Sequence, residues 1–328
     1  TSTAGSVTLG TLTAVGGAGY YSAPGNGGAV SVQAAGSIGV GFIDTHGGTV
    51  GTDAGYPSSD GPRGGTVRRT GRGPGTAIQA AGVNATGGFG VDGGNGGNIT
   101  ISALNGGIDL TALIVSDGGT AGDGYFGIFG QGGAGGTVTI SAGAAGVSSA
   151  GIQVNGGGHG TIGGLGGTVS VTAANGPIAF SSAILATGGY GYDAGGNAAS
   201  VMLNAGTGTI AMSAPIIAVG GGTSSNSGSY GGNGGMVDIA AGTFTLTGNI
   251  DVRGSFGYAQ GGHGGSVDIT AGAGGMAVTG QILAKGAGGY QFSGVGGHGG
   301  TVTINSAGAV TFGLGGADTY TGDPDSFG

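Results

Sequence analysis

Few residues of this chain carry groups able to do chemistry, and they fall into columns rather than clusters. Four positions before each recurring apolar-x-apolar run stand Asn26, Arg63, Asn95, Ala134, Leu165, Asn197, Asn233, His263 and His298. Stacked amides can hydrogen-bond along a repeat and satisfy the backbone of a bend, so Asn26, Asn95, Asn197 and Asn233, with His263 and His298, are candidates for a structural ladder. The two imidazoles could instead share a metal ion, but two ligands make an incomplete site and no regular carboxylate accompanies them. Asp318, Asp323 and Asp325 near the end of the chain offer oxygen ligands for calcium, although a second turn to complete the cage is missing.

A second column is aromatic. Tyr125, Tyr190, Tyr230, Tyr258 and Tyr290 sit in glycine-rich stretches, whereas the apolar runs hold few rings. Such rings either anchor those stretches onto a core or form an exposed row that binds a glycan or a neighbouring molecule. Arg63, Arg68, Arg69 and Arg72 are four of the six basic residues. Either they and the acidic tail are simply solvated, or the tail of one subunit meets the Arg cluster of another and sets register. Asn84 and Asn98 open N-x-T sequons, which carry glycan only where the source glycosylates asparagine.

Enzymatic readings find little to work with. All 14 acidic residues are Asp, there is no Cys, and no Ser-His-Asp spacing stands out. Polysaccharide-cleaving sites need clustered carboxylates or bases on one face. The glycine clusters do not lead from a strand into a helix, so a phosphate-loop reading is chance. Thr66, Thr137, Thr139, Thr301 and Thr303 suggest an outward Thr array of the ice-binding kind, but Arg68, Asp238 and Asp268 interrupt it. No catalytic residue and no cofactor is expected.

The elements that position these columns follow from composition and repeat. Glycine supplies 94 of 328 residues. Collagen is excluded because glycine comes in GG and GGxGG clusters rather than at every third position with proline. Disorder is excluded because 38% of residues are hydrophobic and only 6% charged. Glu is absent and Lys occurs once, at Lys285, so helix formers are avoided throughout. A net charge of −8 argues against nucleic acid as a partner. No stretch approaches the ~20 apolar residues of a membrane-spanning helix. The opening TSTAGSV, without an initiator Met, leads us to expect an exported chain with its signal removed.

The first apolar residue of the run recurs at Val30, Val67, Ile99, Val138, Val169, Val201, Val237, Val267 and Val302, a mean spacing of 34 residues. A second apolar pair follows 7 to 9 residues later, as at Ile178 and Phe180, and a third begins after 13 to 15, as at Ile184. Each run alternates with period two, the mark of a half-buried strand. Runs this short need neighbours to cover them, so the units must stack. An all-β parallel β-helix is predicted, with about nine coils, three short strands per coil and one long glycine-rich loop leaving from a constant corner. The predicted divisions are a partial coil over 1–29, the solenoid over 30–313 and an acidic tail over 314–328. Whether the glycine loops are extended and stacked or irregular stays open at this level.

The segments GNGGNITISA (Gly94 to Ala103), GGTVTISA (Gly135 to Ala142) and GGHGGTVTI (Gly296 to Ile304) resemble the repeats of filamentous haemagglutinin-type secreted adhesins. The resemblance implies a right-handed β-helix in an extracellular or cell-surface protein, and it transfers no functional residue. The resulting expectation is a non-enzymatic homopolymer, a filament or sheath built by head-to-tail stacking or tail insertion. The alternative is an adhesin fragment whose aromatic loops contact glycans or matrix.

Overall fold

The computed structural model of the chain describes residues 1–19, 23–50, 60–73, 75, 77–122, 130–224, 228–289 and 294–313, together with the backbone of 317–318. Among these residues there is no helix, hence none long and apolar enough to cross a membrane. The chain forms a parallel β-solenoid. One ladder stacks nine strands, beginning with Val30–Ala34 and Val67–Gly71, continuing through Asn98–Ala103, Thr137–Ala142 and Thr168–Ala173, and ending with Thr301–Ser306. A second ladder runs through Ile108–Leu110, Val147–Ser149 and Ile178–Phe180, and a third through Ile114–Val115, Ile152–Gln153 and Ile184–Leu185. Every pairing is parallel and joins equivalent positions, such as Val138 with Ile99 and Val169.

Alternation in sequence becomes inside and outside. In Thr137–Ala142, Val138 and Ile140 are fully buried and Ala142 nearly so, while Thr137 is exposed. The interior is one continuous column of Val, Ile, Leu, Phe, Met and Ala running the length of the rod. Val7–Leu9 and Leu12–Thr13 pair with Ile38–Asp44, so the amino-terminal partial coil is stacked in register with the solenoid. At the other end Ala317–Asp318 pairs with Ile282–Leu283, which carries the ladder past the predicted boundary at 313. The rest of the acidic tail lies outside the described residues.

The described parts of the glycine-rich segments are joined by regular backbone hydrogen bonds, and they follow a different period. In the segment entering the fourth strand of the first ladder, the Gly132 N–H donates to Ile162 O in the next coil and Gly133 to Gly119 O in the outgoing segment. Ala134 N–H donates outward to Asn95 Oδ1 at 2.8 Å. Gly135 then donates to Leu165 O in the next coil, and Gly136 to Ser116 O on the outgoing side. The donor direction repeats every three residues, which is the geometry of a polyproline II helix rather than a strand.

This period explains GGxGG. Two of every three positions face another backbone, and a Cβ at Gly132, Gly133, Gly135 or Gly136 would come within 3.0 Å of a carbonyl oxygen of a neighbouring segment. None of the four has a positive φ. Glycine is required here by close approach, not by backbone conformation. Outgoing and incoming segments zip together along the rod. Gly119 donates to Gly94, Gly133 to Gly119, Gly157 to Gly133, Gly164 to Gly157 and Gly189 to Gly164, all at 2.7–2.9 Å. The result is a two-column flange fixed to one corner of the solenoid.

Candidate functional site

The third residue of each GGxGG faces solvent at the outer side of the incoming segment, and there the Asn column does its work. Asn26 Oδ1 accepts from Arg63 N–H, Asn95 Oδ1 from Ala134 N–H, Asn197 Oδ1 from Asn233 N–H and Asn233 Oδ1 from His263 N–H, each at 2.8 Å. The amide binds the backbone of the equivalent residue one coil on, rather than the next side chain. It therefore caps the one N–H in three that points away from the flange. Asp92 repeats the device three residues further out, accepting from Gln131 N–H at 2.6 Å. Asn95→Ala should cost about 1 kcal/mol in urea unfolding, since it strips the acceptor from Ala134 N–H. Leu165→Ala, in the same column with a half-exposed side chain and no acceptor to lose, should change stability by less than about 0.5 kcal/mol.

His263 and His298 close the same column. The rings stack with centroids 5.0 Å apart and planes within 7°. His263 Nδ1 accepts from His298 N–H at 2.9 Å. Parallel rings direct their in-plane lone pairs side by side instead of toward one point, and one of the four nitrogens is already occupied. The arrangement continues the capping ladder, with Asn233 capping His263 and His263 capping His298. No group of three His, Cys, Asp or Glu suited to a metal occurs among the described residues. The side chains of Asp318, Asp323 and Asp325 lie outside them.

The Arg cluster does not form one surface. Arg63 is exposed in the flange column, and Arg68 and Arg72 are also exposed. Arg69 is fully buried, on the interior side of its strand two residues after Val67, and its Nε, Nη1 and Nη2 have no hydrogen-bond partner. It cannot serve as a subunit contact, because strand parity turns it inward. Desolvation pulls its guanidinium down from the ordinary value to about 10.

Of the aromatics, Tyr190 and Tyr230 are exposed by 40% and 55%, and Tyr258 is half-buried with its N–H donating to Ser229 Oγ. Tyr190 packs edge-on against Tyr192, with centroids 6.2 Å apart. Tyr125 and Tyr290 lie outside the described residues. The two sequons differ. Asn84 donates through Nδ2 to Asp44 Oδ1 and accepts from Thr86 Oγ1, so its amide is held within the protein. Asn98 is exposed at the start of its strand.

A second capping column was not anticipated. Three residues after Ile43, Val83, Ile114, Ile152, Ile184, Ile216, Ile250 and Ile282 in the third ladder, the outgoing segment presents His46, Thr86, Asp117, Asn155, Thr187, Val219, Arg253 and Lys285. Asp117 Oδ1 accepts from Asn155 N–H at 2.6 Å, and Asn155 Oδ1 from Thr187 N–H at 3.1 Å. Where the capper is instead two residues upstream, it is Asp44, Asn84 or Asp251. Arg253 pairs with Asp251 at 2.7 Å, and His46 with Asp44 at 2.7 Å. The signal was positional, since these residues share no side-chain chemistry.

Burial raises the Asp117 carboxyl above its ordinary 3.8, against the hydrogen bonds from Asn155 and Gln153 that lower it. A raised folded value means that the folded state holds the proton more tightly. Stability is then greatest below the ordinary value and falls as pH climbs through the folded one. Asp117→Asn keeps an acceptor for Asn155 N–H, so thermal melts should show a variant more stable than the parent at pH 7 and lacking that decline.

The chain matches no known family, no curated protein and no solved structure.

Proposed function

We propose that this chain is a non-enzymatic structural protein, a stiff rod that serves as the subunit of an extracellular surface filament or sheath. Subunits join head to tail by coil stacking or tail insertion, so the principal partner is the chain itself. The observation that carries this reading is the state of the outer coils. Leu9 and Val310 occupy inward positions yet are 39% and 45% exposed, whereas Val40, the next residue in the first column, is 5% exposed, and Met276, the preceding one in the second, is 3% exposed. Their strands also leave one backbone edge without a described neighbour. A further coil, from a longer chain or a second copy, would cover both.

Interior packing supports the same role. Each coil presents the same three ladders and the same zipped flange, so load passes along backbone hydrogen bonds in parallel. The purified chain should form filaments in negative-stain images, and Leu9→Lys with Val310→Lys should abolish them while leaving the β-type circular dichroism intact. Discrete rods of one length from the parent chain would sink the proposal.

A second reading, an adhesin segment, is favoured by the exposed rings of Tyr190 and Tyr230 beside polar amides. Glycan-array binding that falls at least about tenfold in Tyr230→Ala would support it.

A further inference from the structure

We propose that the incoming face of the flange is a lateral docking surface for a second copy of this chain, separate from the coil ends. Three ridges run along the rod on this face. One passes through Ile162, Tyr230 and Val295, one through Leu165, Asn233 and His298, and one through Thr168, Met236 and Thr301. Between the ridges lie two grooves floored by glycine pairs such as Gly195–Gly196 and Gly234–Gly235. The outer groove encloses about 420 Å³ and the inner about 610 Å³.

Both spacings are fixed by the backbone. Ridges recur every three residues, about 9 Å at the ~3.1 Å rise of a polyproline II segment. Along the rod the steps are about 4.8 Å, the distance between stacked strands. A partner that fits these grooves needs ridges with the same two periods, and a second copy of this face supplies them. Its ridges carry side chains of suitable bulk: Leu165, Tyr230, Met236 and Val295 are each exposed by 47–61%.

Charge selects the face. From Gln131 to Thr301 these ridges and groove floors contain no Asp, Lys or Arg, in a chain of net charge −8. The outgoing face carries Asp117, Arg253 and Lys285. Two copies therefore meet without like-charge repulsion on the incoming side. Six coils at about 4.8 Å by two groove widths of about 9 Å give on the order of 500 Å² per copy. That is about 1,000 Å² in all, the threshold for a specific interface, so a concentration-dependent dimer is expected rather than a permanent one.

The test uses the Leu9→Lys, Val310→Lys chain, so that end stacking and lateral docking fail separately. The chain has no Cys, and single cysteines can be placed at will. Tyr230 lies near the middle of the uncharged strip, where a two-fold axis brings it close to its counterpart. Under mild oxidation Tyr230→Cys should form disulfide dimers at least about tenfold faster than Thr245→Cys on the second-ladder face or Thr187→Cys on the outgoing face. In sedimentation, the cysteine-free chain should show a monomer–dimer equilibrium, and Met236→Asp with Gln260→Asp should remove it without lowering the melting temperature. Equal cross-linking at all three positions, faster cross-linking at Thr245 or Thr187, or a chain monomeric at every concentration would overturn the assignment.

Discussion

Replacing Gly164 by Ala should lower the stability of the rod by about 3 kcal/mol, the upper part of the range for forcing atoms into a filled interior. Gly164 is the second glycine of its incoming segment. Its N–H donates to Gly157 O and its carbonyl accepts from Gly189 N–H, so it is held from both sides by outgoing segments. A Cβ there would come within 3.0 Å of the Gly133 carbonyl, a backbone atom that cannot rotate away. Relief requires parting the two columns of the flange and breaking the zipper where it is continuous. The neighbouring Leu165, one residue on and facing solvent, should tolerate Ala, Ser or Asn. Urea unfolding of the two variants side by side reads the difference. Equal and small effects would mean that the flange is not packed as described. Natural exceptions exist: Pro62 takes the Gly164-type position near one end, while Ser255 and Ala287 take the paired outgoing position near the other. Mid-rod, Ala198 and Ala199 stand where the earlier coil has Gly135 and Gly136, with a longer Ala199 N–H to Ala186 O bond of 3.3 Å.

Arg69→Ile should act in the opposite direction and stabilise the protein by about 2–3 kcal/mol at neutral pH. The buried guanidinium keeps its charge while three nitrogens lack partners. Lowering its value to about 10 corresponds to about 3 kcal/mol of unfavourable burial. Ile restores the type of residue that Val32 and Ile101 provide in the adjoining coils. Ala80, in the position of Val40 and Leu110, leaves a small gap that reduces the gain. The pH dependence has a definite sign. A base whose folded value is depressed penalises folding fully below that value, and the penalty fades as pH rises from about 10 toward the ordinary value of the free guanidinium. The difference in stability between Arg69→Ile and the parent should therefore be constant from pH 7 to about 9 and shrink above 10. A variant less stable than the parent at pH 7 would show that the guanidinium has a favourable role in the interior.

Much of this architecture was legible in the sequence, and the failures have physical reasons. The three ladders were visible because strands bury alternate residues, so Val138-Thr139-Ile140 displays its inner face directly. The Asn column was visible because its members share a chemistry. The outgoing column was not, since His46, Asp117 and Arg253 share only a position. The same parity that identified Val67 as inward places Arg69 inward too, but three neighbouring Arg residues suggested a surface patch. The packing of the described glycine segments was hidden for a different cause. Glycine shows nothing of its surroundings in its own side chain, and the period of three in GGxGG acquires meaning only when a second segment lies against it.

The central claim is that coils of successive subunits continue one another's ladders. Cryo-electron microscopy of assemblies formed by the purified chain tests it most directly. The account predicts unbranched filaments with a meridional repeat of about 4.8 Å running unbroken through subunit junctions, and an axial rise of about 48 Å, because the second and third ladders run through ten rungs, from Val7 to Val310 and from Leu12 to Ala317. Isolated rods about 48 Å long, or filaments in which the strand repeat is interrupted at each junction, would contradict it.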